Sequence, residues 1–164
     1  MLEGLALAYV GRFATSRAKL IAYLGRKLRE RGWASDSGGE ASAEAIADRL
    51  IALRYVDDEA YAAMKTSAMQ RRGLGNRRIV QALRHDGIAP EIREDLTPDP
   101  LARWEAAERL ARRKRIGPFA AEQADRPARE KQLAAFLRAG HDLEIARTWV
   151  DAAPGEEPPR PEDG

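Results

Sequence analysis

Apolar residues recur every three or four positions along most of the chain, which is the spacing of one face of an α-helix. Leu20, Leu24 and Leu28 form one such stripe, and Ile79 with Leu83 forms another. Few segments show the period of two that a half-buried strand requires. The remaining stripes are Ile46/Leu50/Leu53, Tyr61/Met64/Ala68, Trp104/Ala107/Ala111, Leu133/Phe136/Leu137 and Ile145/Trp149. The pattern predicts an all-α protein.

Residues that favour helix ends flank these stripes. Ser16, Asp57 and Asp99 stand where N-caps are expected, and Pro90 and Pro100 suit a first helical position. Glycines stand near the expected C-termini, at positions 32, 73, 87 and 140. The predicted helices span residues 3–13, 16–31, 43–54, 57–72, 76–86, 90–96, 100–115, 128–139 and 142–152.

The predicted helices also repeat. Gly32, Gly87 and Gly140 are 55 and 53 residues apart, and a large apolar residue precedes each by four positions. These apolar residues are Leu28, Leu83 and Phe136. A period near 50 residues indicates tandem units that stack on their neighbours. We therefore expect an elongated tandem array of three three-helix repeats over residues 1–54, 55–97 and 98–153.

The C-terminal segment PGEEPPRPEDG (154–164) differs from the rest in composition. It contains four of the nine prolines and no apolar periodicity. Such a segment lacks the apolar area that would offset the entropy of ordering. We expect residues 154–164 to form a disordered acidic tail.

Charge is unevenly placed although the formal net charge is only +2. Lys and Arg gather in residues 17–31, 71–84 and 103–115, whereas acids gather in 36–48 and in the tail. Each basic segment alone is most simply a solvated helix face. Their recurrence in repeat phase favours contact with an anionic partner, either a DNA backbone or an acidic protein surface. The candidate contact residues are Lys19, Arg26, Arg29, Arg71, Arg72, Arg77, Arg78, Arg84, Arg112, Arg113, Lys114 and Arg115.

Candidate catalytic chemistry is sparse. The chain has no cysteine, and His85 and His141 lack any metal-ligand spacing, so both are predicted to be exposed to solvent. Asp57, Asp58 and Glu59 are better placed to start a helix than to bind a metal ion. The segment GLGN (73–76) lacks the glycine pattern and the lysine of a phosphate loop. No enzyme, cofactor or metal site is predicted.

The apolar and aromatic content limits two further classes. No run of 18 apolar residues is present, so a cytoplasmic protein without membrane contact is expected. The aromatic residues Trp33, Tyr61, Trp104 and Trp149 are predicted to lie in the core. Stacking of single-stranded bases on these rings is therefore not predicted.

Two segments carry a family resemblance. YVDDEAYA (55–62) and RRGLGNRRIVQALRHDGI (71–88) resemble the pattern of the RecX regulatory family, in which an aromatic and an apolar residue precede Asp-Asp-Glu, followed by Arg, Gly, Arg-Ile, Leu and Gly-Ile. The resemblance covers residues 5–152 and is most specific over 46–96. The matching residues of the second segment are Arg72, Gly75, Arg78, Ile79, Leu83, Gly87 and Ile88.

The resemblance implies a tandem helical protein that binds the RecA–DNA filament in its groove, blocks extension and favours disassembly. It further implies no enzyme activity and no cofactor. We also expect a monomer, from the spacing of the repeats, and non-specific contact with the DNA backbone. Two other classes remain open from the residues alone. The chain could act directly on duplex DNA through a helix-turn-helix whose recognition helix begins at Asn76-Arg77-Arg78, or it could be a non-catalytic helical scaffold.

The repeat hypothesis predicts an extended molecule. Small-angle X-ray scattering should give a radius of gyration well above the value of about 15 Å expected for a compact chain of this length. A measured value near 15 Å would instead indicate one globular core.

Overall fold

A computed structural model describes residues 2–33 and 39–162, apart from the side chains of residues 39–41. Asp36 of the acidic segment lies outside the described residues. Over the described residues the chain is helical and contains no strand, which confirms the all-α prediction. The helices are α1 (Leu2–Val10), α2 (Arg17–Glu30), α3 (Gly39–Ala52), α4 (Asp58–Arg71), α5 (Asn76–His85), α6 (Pro90–Asp95), α7 (Pro100–Lys114), α8 (Arg126–Arg138) and α9 (Leu143–Val150), with a short 3₁₀ turn at Gly117–Phe119.

The predicted helix ends are confirmed in their chemistry. The side chains of Ser16, Asp57 and Asp99 each accept a hydrogen bond from the main chain three residues on. Asp125 and Asp142, which the sequence pattern did not single out, cap α8 and α9 in the same way. Gly32, Gly73, Gly87 and Gly140 all have positive φ, the conformation that stops a helix without a Cβ clash.

The described residues group into two compact units. Unit 1 consists of residues 1–64 and 83–93, and unit 2 consists of residues 65–82 and 94–164. The boundaries between the units fall within α4, α5 and α6. The units therefore do not follow the three predicted repeats one for one, and the division into repeats stays a proposal.

The core of unit 1 lies where α2 packs on α1 and α3. Leu20, Leu24 and Leu28 are buried here, as the stripe predicted, and they pack with Leu50 of α3. The predicted third member of the α3 stripe, Leu53, is wrong as a core residue because it is 58% exposed. Helix α3 ends at Ala52, so Leu53 lies in the following turn and no longer points along the buried face.

A buried polar network joins three parts of unit 1. The Ser16 hydroxyl donates to the Asp86 carbonyl at 2.5 Å, and the Tyr61 hydroxyl donates to the Asp86 carboxylate at 2.5 Å. Asp86 is only 2% exposed. Burial is the larger cause that raises the pKa of Tyr61 above its ordinary value, and the hydrogen bond to Asp86 is the second. The hydroxyl therefore keeps its proton and remains a donor. The turn after α5 is thereby held against the start of α2.

The core of unit 2 is built from α7, α8, α9 and the 3₁₀ turn. Its largest fully buried side chains are Trp149, Phe136 and Leu110. Trp104 lies 5.0 Å from Trp149 between ring centroids. The prediction that Tyr61, Trp104 and Trp149 are core residues is confirmed.

Unit 2 also contains a close approach of two main-chain turns. The Gly75 N–H donates to the Ala139 carbonyl at 2.8 Å, and the Arg77 N–H donates to the Gly140 carbonyl at 3.1 Å. A Cβ on Gly75 would lie 2.3 Å from the carbonyl carbon of Gly140, and a Cβ on Gly140 would lie 2.5 Å from the Arg78 nitrogen. Only glycine fits at both positions, so the α8–α9 turn is fixed to the start of α5.

The buried face of α4 differs from the prediction. Met64 is 48% exposed, whereas Ala62, Thr66 and Met69 are buried. At 100° per residue these three side chains lie on one arc of the helix surface. Met64 lies about 160° from Ala62, on the far side of the helix. The predicted stripe was wrong because it gave weight to large apolar residues, whereas the buried arc of α4 includes alanine and threonine.

The C-terminal segment also differs from the expectation. Residues 154–162 have no helix but lie against unit 2: Pro158 is buried, and the Gly155 N–H donates to the Pro118 carbonyl at 2.9 Å. The Arg160 guanidinium pairs with Glu105 and lies 5.3 Å from the centre of the Trp104 ring. The segment contacts unit 2 through a buried proline, an ion pair and a guanidinium group that lies over an aromatic ring. None of these contacts produces apolar periodicity in the sequence, so the periodicity did not predict them.

The Asp86 network predicts a specific loss of stability. Tyr61→Phe removes a hydrogen bond to a buried carboxylate and should lower the free energy of unfolding of unit 1 by about 1–3 kcal/mol. Tyr55→Phe is the matched control, because Tyr55 is 60% exposed and the change should stay within about 0.5 kcal/mol. Urea unfolding followed by circular dichroism measures both. Equal stability of the two variants would contradict a stabilising role for the network.

Candidate functional site

The basic residues of unit 2 meet where α4 ends beside α7. The Arg113 guanidinium donates to the Arg72 carbonyl, and the Arg109 guanidinium donates to the Gln70 carbonyl at 3.2 Å. Because these carbonyls lie at the C-terminal end of α4, the α7 cations are placed where the helix dipole is negative. Arg71 and Arg72 are exposed at the same end. The structure thus brings two of the predicted basic segments together.

Arg109 was not among the predicted contact residues. It is exposed, and it belongs to the α4–α7 cluster through its bond to Gln70. Sequence reasoning passed over it because it precedes the run Arg112–Arg115. The signal that could have found it is helical spacing, since Arg109 and Arg113 are one turn apart on α7.

Arg112 is engaged within unit 2. Its guanidinium pairs with Glu108 at 2.9 Å and with Glu157 of the C-terminal segment at 3.4 Å. It also lies 4.3 Å from the centre of the Phe119 ring. Lys114 and Arg115, further along, are exposed, and Arg115 ends α7 in a left-handed conformation with φ 54°. Arg112 is therefore less available to a partner than Lys114 and Arg115.

Helix α5 presents a polar face made largely of basic residues. Ile79 and Leu83 are buried, whereas Arg77, Gln81 and Arg84 are exposed, as the helical spacing predicted. The guanidinium groups of this face are about two turns apart and can donate to phosphate or carboxylate oxygens.

Arg78 is exposed overall but its stem is packed. Its Cβ and Cγ lie close to Gly140, and its guanidinium donates to the Arg138 carbonyl at 3.2 Å. This side chain fixes the α8–α9 turn, so its loss would combine a structural effect with any effect on binding.

In unit 1 the three candidate cations differ in their surroundings. The Lys19 ammonium donates to the Tyr61 hydroxyl at 3.3 Å and lies 4.0 Å from the Asp86 carboxylate, so it extends the buried network. Arg26 pairs with Glu30 at 3.6 Å and lies over the Tyr23 ring. Arg29 is exposed and has no ion pair within the described part of the chain. Of these three, Lys19 serves the fold most directly.

A small cavity of about 170 Å³ opens in unit 2 beside the start of α5. Its polar lining includes Arg77, Arg103, His141 and Asp142. Arg103 lies 4.0 Å from the Asp142 carboxylate, which leaves Arg77 as the excess positive charge of this lining. This volume lies below the roughly 300–1,000 Å³ that is typical of small-molecule sites.

His141 is buried, at 2% exposure, so the prediction of a solvent-exposed histidine is wrong for this residue. Its Nε2 lies 2.8 Å from the Gly73 carbonyl, and because a carbonyl only accepts, Nε2 carries the proton. Burial lowers the pKa of His141, and the bond to Gly73 only partly opposes this. The ring joins the α8–α9 turn to the glycine that ends α4, which local spacing could not reveal. His85, by contrast, is exposed.

Within residues 2–33 and 39–162, no helix has the length and apolar content needed to cross a membrane. In the same described ranges, no group of three or more His, Asp or Glu side chains is placed to hold a metal ion.

Comparisons with known proteins agree on one family. The profile described as "RecX, second three-helix domain" matches residues 57–96, which contain α4, α5 and α6. A Regulatory protein RecX of Myxococcus xanthus is 34% identical over 160 residues, covering 93% of this chain and 86% of its own. A Regulatory protein RecX of Thermus thermophilus is 37% identical over 110 residues, covering 67% of this chain and 71% of its own.

Two solved structures share the fold. A crystal structure of a regulatory protein RecX superposes with a TM-score of 0.68 at 24% identity, over 92% of this chain and 70% of that chain. A crystal structure of RecX from Lactobacillus salivarius superposes with a TM-score of 0.63 at 21% identity, over 90% of both chains.

The buried histidine predicts a pH-dependent stability. The folded chain disfavours His141 protonation, whereas the unfolded chain protonates it near pH 6.5, so stability should fall as pH drops below about 6.5. His141→Gln should flatten this dependence, by at most about 1.4 kcal/mol per pH unit. His85→Gln, an exposed control, should follow the parent. Urea unfolding between pH 7.5 and 5 measures the slopes, and identical slopes for all three chains would refute the assignment.

Proposed function

This chain belongs to the RecX family, and from that premise we propose that it regulates the RecA recombinase. It binds the RecA–DNA filament, limits its extension and favours its disassembly. It acts as a monomer in the cytoplasm, by binding alone, without catalysis or a cofactor. Its relatives carry the name regulatory protein, which supports a non-enzymatic role.

The observation that carries the proposal is the exposed polar face of α5. Arg77 and Arg84 lie opposite the buried residues Ile79 and Leu83, so they are available to a partner without unfolding. The cluster where α4 ends beside α7 supplies further cations, Arg71, Arg72 and Arg109 among them. Surfaces of this kind bind phosphate backbones without sequence preference.

The geometry disfavours direct sequence recognition by the start of α5. The Arg77 N–H is bonded to the Gly140 carbonyl, and the Arg78 stem packs on Gly140. A recognition helix inserts its N-terminal residues into the major groove, which requires that end of the helix to be accessible. Contact through the side of α5 is therefore the arrangement we propose.

The decisive test of the proposed function is RecA's DNA-dependent ATP hydrolysis. We expect the rate to fall as this chain is added to RecA and single-stranded DNA, since fewer RecA subunits remain on DNA. Duplex binding without RecA is measured in parallel. An unchanged hydrolysis rate together with tight binding to duplex DNA would favour the direct DNA-binding function instead.

The Arg77→Ala/Arg84→Ala variant should bind the filament more weakly while remaining folded. Both side chains are exposed, so stability should change by less than about 0.5 kcal/mol for each. Loss of a duplex phosphate contact should reduce the slope of log affinity against log salt by about 0.9. Fluorescence anisotropy on labelled DNA coated with RecA, at several salt concentrations, measures affinity and slope together.

The matched control is Arg126→Ala/Arg147→Ala, which removes the same charge from exposed positions on α8 and α9. It should bind as the parent does. Leu83→Ala separates unfolding from lost contact, because it should cost about 2–5 kcal/mol of stability. A folded Arg77/Arg84 variant with parental affinity and parental salt slope would show that the α5 face does not bind the filament.

A further inference from the structure

A second surface, in unit 1, has the opposite character to the basic face. A shallow groove of about 520 Å³ lies beside the turn between α3 and α4. Its lining comprises the apolar residues Ile51, Ala52, Val56 and Ile92, the acids Asp57, Asp58 and Glu59, and Arg54. Three acids against one arginine make the groove locally acidic in a chain whose formal net charge is positive.

The turn beside the groove exposes large apolar side chains. Leu53 is 58% exposed, Tyr55 is 60% exposed and Ile51 is 37% exposed. Ile51 lines the groove directly, and Leu53 and Tyr55 are each adjacent in sequence to residues that line it. Single exposed apolar residues are ordinary, whereas several within five positions around a concave surface indicate a contact site.

The fold does not account for Tyr55 or Glu59. In the segment Tyr55–Glu59, Val56 is buried, Asp57 caps α4, and the Asp58 carboxylate accepts from the Arg17 N–H at 2.8 Å. Tyr55 and Glu59 lie exposed among these structural residues. Their positions are fixed by their neighbours, so they form a rigid feature of the surface.

We propose that this groove, with Leu53, Tyr55 and Glu59 at its edge, docks a protein segment that has a large apolar anchor and flanking Lys or Arg. The carboxylates would repel a phosphate backbone, so nucleic acid is the wrong partner. An apolar side chain fills the groove, and its basic neighbours pair with the acids. We assign the segment to a RecA subunit, and this assignment rests on the proposed function. Unit 1 would then contact protein at the groove, while the basic surfaces contact DNA.

The test compares filament binding with binding to DNA alone. Leu53→Ser/Tyr55→Ser changes two residues outside the helices, and Glu59→Lys reverses one exposed charge. Each should weaken binding to RecA-coated DNA at least about tenfold and leave binding to naked DNA unchanged. Leu7→Ser, at a residue of unit 1 that is 44% exposed, is the matched control and should bind as the parent does. Circular dichroism confirms that each variant is folded.

Parental filament affinity in both groove variants would overturn the proposal. Equal losses on filaments and on naked DNA would also overturn it, because the groove would then not select protein. If the parent itself fails to bind filaments, the proposed function falls, and a second probe decides about the groove.

That probe is a fluorescein-labelled 12-residue peptide of leucine and lysine at helical spacing, with a twin in which glutamate replaces lysine. The parent should bind the lysine peptide at least about tenfold more tightly than the twin, and the groove variants should lose this preference. Equal binding of the two peptides by the parent, or an unchanged preference in the variants, would overturn the proposal without reference to RecA.

Discussion

In each compact unit, the turn that follows one basic helix packs against the start of a helix that comes earlier in the chain. Each unit depends on this junction. In unit 2 the Gly140 turn bonds to Gly75 and Arg77 at the start of α5. In unit 1 the Asp86–Gly87 turn lies at the start of α2, where Ser16 bonds to Asp86 and a Cβ on Gly87 would lie 2.2 Å from that of Ala18. The same junction thus occurs twice. It explains why the compact units draw on parts of two predicted repeats, since the contacts concentrate at the junctions.

Local features of this fold could be predicted because they depend on near neighbours. Helix spans, the caps at Ser16 and Asp99, and the positive φ of Gly87 follow from side chains within about four positions. The burial of His141 could not be predicted in this way, because its partner Gly73 is 68 residues distant in sequence. The exposure of Met64 likewise depends on which arc of α4 is covered, and periodicity alone does not determine that arc.

The candidate site shows the same division. Sequence identified the basic segments, and the exposed face of α5 follows from helical spacing. The sequence could not distinguish cations that are engaged in the fold from those that are exposed to a partner. Lys19 serves the Asp86 network and Arg113 is bonded to the end of α4, whereas Arg77 and Arg84 lie on an exposed face. The groove of unit 1 escaped notice because Asp57 and Asp58 were already explained as helix-starting residues and Leu53 as core.

The C-terminal segment gives Arg112 a tethered counterion. Glu157 pairs with Arg112, and both side chains are more than half exposed. A phosphate that binds Arg112 displaces this covalently attached carboxylate, so fewer mobile ions enter the solution than the number of neutralised phosphates suggests. Raising the ionic strength also weakens the exposed pair and makes Arg112 more available as phosphate contacts weaken. If the full chain binds DNA as proposed, the salt dependence of binding underestimates the number of phosphates contacted.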